Sequence, residues 1–98
     1  MIRFIYYPLI QAHYLYNEKE VKDEIKNIFY DVFQNINENN FVWDKQQKDY
    51  ENWDSFTQLN LITLSEAKFN ISLTLDETID IKSSNELFEC IIVHLIWT

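Results

Sequence analysis

The stretch Asp54-Ser55-Phe56 has the residue types and spacing best suited to chemistry in this chain. An aspartate just ahead of an apolar-periodic run is a strong helix N-cap, which makes Ser55 the first helical residue, its hydroxyl beside the unpaired amides of the helix start. That end of a helix carries partial positive charge and favours anionic groups. A serine here is also an ordinary helix-start residue, and Asp54 caps whatever its other role. The remaining reactive side chains are less organised. Cys90 falls in the apolar stripe of the last helix, where a lone thiol packs more often than it reacts. His13 and His94 have no serine, cysteine or carboxylate partner at motif spacing, so structural or surface roles are expected. Glu66, Asp76, Glu77 and Asp80 could form a docking surface or bind a divalent cation but read first as a solvated acidic face; no paired Cys/His spacing suggests zinc, and no metal site is expected.

The elements that must position these residues are helical. From Asn17, Val21, Ile25, Ile28, Phe29, Val32 and Phe33 recur at three- and four-residue spacing, predicting a helix that ends near Gln34. Asn17 and Glu20 form a capping box, and Tyr16 with Val21 a hydrophobic staple. Residues 35–53 lack a sustained period and read as a long ordered loop anchored by Phe41, Val42, Trp43 and Tyr50; loops of that length in compact domains are usually functional. A second helix runs from Asp54-Ser55 to about Lys68 and buries Phe56, Leu59 and Ile62, with Leu61, Ala67 and Phe69 as further candidates. Residues 70–82 alternate apolar and polar, so a strand competes with a short helix over Leu75 to Ile81. Ser83 with Glu86 opens a last helix whose Leu87, Phe88, Ile91, Ile92 and Leu95 face the core.

At 98 residues, 47% of them hydrophobic, the chain suits one compact domain rather than a disordered segment. Two parts are expected: an N-terminal extension over 1–16 and a helical domain over 17–98. Sixteen acidic against eight basic side chains give a formal charge of -8, which disfavours nucleic acid and anionic membrane surfaces and favours a basic protein partner. The single cysteine fits a reducing cytoplasm, and the apolar opening is too short to span a bilayer. With no glycine, left-handed turns fall to asparagine, with Asn35, Asn37, Asn39, Asn40, Asn52 and Asn70 as candidates.

The order of elements, and the text Asn52-Trp53-Asp54-Ser55-Phe56 followed by Leu59, Leu61, Ile62, Glu66, Phe69 and Ile71, resembles the acyl carrier protein family, including its peptidyl carrier relatives. The likeness covers roughly residues 17–92 and is similar to the family's Asp-Ser-Leu motif with its Glu-x-x-Phe-x-Ile ending. It implies an all-α, small four-helix bundle of acyl carrier type with an extra N-terminal segment. Ser55 is then the attachment point for 4′-phosphopantetheine, transferred from coenzyme A by a separate magnesium-dependent phosphopantetheinyl transferase. The chain is no enzyme but holds an acyl or aminoacyl thioester for acyl-transfer or ligase enzymes with basic docking surfaces. Asp54, Phe56, Leu59, Ile62 and Glu66 are the expected partner-recognition residues. A phosphodiester on Ser55 would sit at the positive end of the helix dipole, and the payload is expected to shelter between helices.

Some positions depart from the family pattern. Trp53 stands for a frequent glycine, Phe56 for leucine, and Ser65 for a usual buried leucine, while Gln58, Asn60, Ala67 and Lys68 dilute the acidic outer face of the second helix. These departures point away from a housekeeping fatty-acid carrier and towards a specialised pathway of lipid, secondary-metabolite or surface-glycan acylation. Two alternatives stand beside this one: an acidic binding or inhibitor protein that mimics nucleic-acid charge in a basic groove, and a degenerate carrier that is never modified.

Overall fold

The computed structural model of the chain describes residues 17–97. These form an all-α bundle of four helices: α1 (Glu18–Val32), α2 (Ser55–Phe69), α3 (Leu75–Asp80) and α4 (Ser84–Trp97), with one 3₁₀ turn at Gln47–Asp49. The expectations for residues 1–16, including the Tyr16 staple and His13, lie outside the described residues.

Local chemistry sets the helix starts. Asn17 accepts a hydrogen bond from Glu20 N at 2.8 Å while Glu20 Oε1 accepts from Asn17 N at 3.1 Å, so the expected capping box closes in both directions. Thr74 and Glu77 build the same device at the start of α3, which settles residues 75–80 as helix. At α4, Ser83 Oγ accepts from Glu86 N, but the Glu86 carboxylate reaches back to Lys82 N.

α1 is the hub, packing against both α2 and α4. Val21, Ile25 and Phe29 line its inner face with no exposure and meet Leu61, Ile62 and Phe69 of α2 and Leu87, Ile91 and Leu95 of α4 in one core. Phe29 alone touches the rings of Phe33, Phe41, Tyr50 and Trp53 at centroid separations of 5.6–6.1 Å. Because Tyr50 and Trp53 come from the long segment between α1 and α2, the aromatic cluster fastens that segment to the bundle. Gln47 N donates to Lys82 O at 2.7 Å, and Ser84 Oγ donates to Trp43 O at 2.7 Å, tying the loop to the start of α4. The expected long ordered loop is therefore held at both its core and its edge, with Val42 exposed rather than anchoring.

Of the asparagines expected to take left-handed turns, Asn70 does so among the described residues, at φ 55° as the C-cap of α2. The group at 35–40 turns by a different route. Asn40 Oδ1 accepts from Asn37 N at 2.7 Å, Asn37 Oδ1 accepts from Asn39 N at 2.8 Å, and Asn40 Nδ2 donates to Asn35 O at 2.8 Å. Side-chain bonds to nearby backbone shape this turn without a positive φ.

Candidate functional site around Ser55

Ser55 is the first residue of α2 and is exposed; among the described residues its hydroxyl makes no hydrogen bond. Asp54 is the N-cap, its Oδ1 accepting from Thr57 N at 2.9 Å. That amide, followed by the Thr57 hydroxyl, holds the Asp54 carboxyl below its ordinary range. Thr57 Oγ1 donates to Asn52 O at 2.7 Å, which fixes the approach of the chain into the helix.

The register of α2 differs from the one its apolar residues suggest. Phe56 is 72% exposed and Leu59 59% exposed, and Ala67 is exposed as well, whereas Leu61, Ile62, Ser65 and Phe69 are buried. At about 100° per residue, positions 58, 61, 62, 65 and 69 share one face, 56 lies opposite it and 59 falls outside its edge. Two polar residues thus occupy the inner face, each satisfied by hydrogen bonds. Ser65 Oγ donates to Leu61 O at 2.7 Å. Gln58 Oε1 accepts from the Trp53 indole N–H while its Nε2 donates to the carbonyls of Thr78 and Ile81. Gln58 therefore locks the start of α2, with Ser55 on it, to the loop before it and to the end of α3.

The expected recognition residues separate on this geometry. Asp54, Phe56 and Leu59 are exposed around Ser55, while Ile62 is only 5% exposed and belongs to the core instead of a docking surface. Glu66 is half-buried, and its Oε2 accepts from Leu73 N at 2.9 Å, so it clasps the α2–α3 connection. A surface cleft of about 580 Å³ adjoins Asp54, lined by Gln46, Gln47, Lys48, Tyr50, Trp53 and Lys82 among others. It is built from the loop and the residue before the Ser83 cap, not from the space between helices where a payload was expected.

No family model, curated protein or solved structure matches this chain. The likeness to acyl carriers therefore rests on the residues quoted from the sequence. No helix among the described residues is long and apolar enough to cross a membrane.

A second cluster escaped the sequence reading. His94 Nε2 lies 2.9 Å from Glu77 Oε2 and 3.1 Å from Oε1, and Cys90 Sγ lies 3.7 Å from Glu77 Oε2. His94 and Cys90 thus have the carboxylate partner that motif spacing did not reveal. The Glu77 carboxyl is held below its ordinary range by the Thr74 amide first and by His94 next. Burial, followed by the Glu77 charge, pushes the Cys90 thiol up to about 11. The available sequence signal was the four-residue spacing of Cys90 and His94 on one helix face, combined with an acidic capping residue on the preceding helix.

Proposed function

We propose that the chain is a carrier protein that bears 4′-phosphopantetheine on Ser55 and presents an acyl or aminoacyl thioester to partner enzymes, itself catalysing nothing. The observation that carries this reading is a solvent-exposed serine hydroxyl at the first position of a capped helix that follows a long packed loop. The surroundings fit the group. The helix start offers a favourable field for a phosphodiester. The adjoining cleft sets Lys48 and Lys82 against Glu51 and Asp54, so it is not cationic overall, and its Gln46, Gln47 and Asn52 amides are the groups suited to an amide-bearing arm.

The apolar surface favours a protein partner as well. Phe56 and Leu59 on α2, together with Leu75 at 74% and Ile79 at 57% exposure on α3, leave large hydrophobic side chains in solvent. Gln58 ties these two helices together beside them. A surface that imitates phosphate charge has no use for such residues, which sets the nucleic-acid-mimic reading second.

The experiment is intact-mass measurement after incubation with coenzyme A, magnesium and a broad-specificity phosphopantetheinyl transferase. A single phosphopantetheine added to the wild type and absent from Ser55→Ala is expected. No addition, or one that survives the substitution, overturns the proposal. Binding to a basic protein that is indifferent to Ser55→Ala and weakens steeply with salt would favour the acidic mimic.

A further inference from the structure

We propose that Glu77, Cys90 and His94 form a binding site for one zinc-class divalent ion, with a Glu77 carboxylate oxygen, Cys90 Sγ and His94 Nε2 as ligands and solvent in the fourth position. The site is separate from Ser55 and does not depend on the carrier reading.

The donor atoms are the right kind and already converge. All three lie within 4.8 Å of one another, with separations of 2.9 Å between His94 Nε2 and Glu77 Oε2 and 3.7 Å between Cys90 Sγ and that same oxygen. Tetrahedral zinc, with bonds of about 2.0–2.3 Å, spaces its ligand atoms roughly 3.3–3.6 Å apart. Small side-chain movements therefore bring all three to bonding distance. A thiolate and an imidazole joined by a single carboxylate select a borderline-soft ion over magnesium or calcium, which take oxygen ligands. Three protein ligands leave one position for water.

The backbone holds the ligands in place before any ion arrives. Cys90 and His94 are one turn apart on α4 and project from the same face. Glu77 comes from α3, and Thr74 N donates to its Oε1 at 2.8 Å, an outer-shell bond that orients the carboxylate. α3 is in turn anchored by Gln58 through the carbonyls of Thr78 and Ile81. Each ligand is only partly buried, so an ion has access from solvent. The adjoining surface depression of about 330 Å³ is lined by Asp80, Glu86 and Glu89 beside Glu77 and Cys90, and this negative charge raises the local cation concentration. On binding, the sulfur–metal bond forms as the Cys90 S–H proton leaves to solvent, and an aquo ligand of the ion is displaced by each protein donor.

Cobalt(II) tests the site directly, because a thiolate bound to it gives a near-ultraviolet charge-transfer band and Cys90 is the single cysteine of the chain. The wild type is expected to develop that band, saturating at one equivalent, and one equivalent of zinc is expected to bleach it. Cys90→Ser is expected to abolish the band. Cys90→Ser and His94→Gln are each expected to lower zinc affinity by more than about 100-fold, beyond the cost of losing an outer-shell partner. Zinc is also expected to raise the thermal midpoint of the wild type and leave that of Cys90→Ser unchanged. Absence of the cobalt–thiolate band in the wild-type protein overturns the proposal whatever the variants do. So does zinc binding of equal strength in wild type, Cys90→Ser and His94→Gln, which would place the ion on the acidic surface at large.

Discussion

Replacing Tyr50 by phenylalanine should stabilise this protein. The Tyr50 hydroxyl is buried and has no hydrogen-bond partner among the described residues, while its ring lies 4.7 Å from that of Phe33, 5.0 Å from Trp53 and 6.1 Å from Phe29. Phenylalanine keeps every ring contact and removes only the oxygen. A buried polar group without a partner costs about 1–3 kcal/mol, and loss of the oxygen's packing returns part of that, so the net gain is about 1 kcal/mol. For a domain of this size that corresponds to a rise in thermal midpoint of roughly 4–8 °C. The assay is thermal and urea unfolding of both proteins at neutral pH, repeated up an alkaline series. Burial pushes the Tyr50 phenol from 10.0 up to about 12, so the folded state holds the phenolic proton more tightly than the unfolded chain. The sign follows by linkage. This contribution is fully present below the unfolded value and is lost as pH rises from about 10 through 12. Cys90, also raised, destabilises the fold in alkali over an overlapping window, so the difference between wild type and Tyr50→Phe isolates the phenol. The variant's advantage should therefore widen above pH 10. A variant less stable than wild type by about 1 kcal/mol or more would refute the reasoning and show that the hydroxyl has a partner, such as an ordered water reached from the neighbouring cleft.

Gln58→Ala strands the indole N–H of buried Trp53 and the carbonyls of Thr78 and Ile81; a loss of about 2–3 kcal/mol is expected by urea denaturation, and Gln58→Glu should not restore it, because a carboxylate cannot donate to those carbonyls. Asn70→Ala should cost about 1 kcal/mol and Asn70→Gly should be neutral or slightly stabilising, since φ is 55° there; equal effects of the two substitutions would argue against a left-handed C-cap. The lowered Asp54 carboxyl stabilises the fold above its ordinary value of 3.8, and that stability is lost as pH falls through its folded value. Wild type should accordingly be the more stable of the pair at neutral pH, and its advantage over Asp54→Asn should shrink as pH falls from about 3.8 through the folded value, because a protonated aspartic acid, like asparagine, lacks the negative charge that the helix start favours.

What the sequence determined by itself is the part governed by neighbours within four residues. Asn17 with Glu20, Asp54 before Ser55, and Ser83 ahead of Glu86 mark helix starts because a cap satisfies orphan amides one turn away, a relation that needs no tertiary partner. The inner stripe of α1 was legible for a related reason: Val21, Ile25, Ile28 and Phe29 are apolar on one side and charged on the other, so one face is the only one to bury. Exposure of Ser55 followed from its place at a helix start.

Tertiary structure decided everything that depends on which side of an ambiguous element meets the core. α2 carries apolar residues on both faces, and the face that includes Gln58 and Ser65 was buried because backbone carbonyls and an indole N–H stood ready to satisfy those polar groups. That choice exposed Phe56 and Leu59 around Ser55 and withdrew Ile62 into the interior. Between residues 70 and 82, alternation argued for a strand against a short helix; the structure closes a Thr74–Glu77 cap over a helix there, and Gln58 ties the carbonyls of Thr78 and Ile81 to α2. The meeting of Glu77 with Cys90 and His94 was beyond local reading altogether. Thirteen and seventeen residues separate the carboxylate from its two partners, and only the packing of α3 beside α4 closes that interval to a few ångströms.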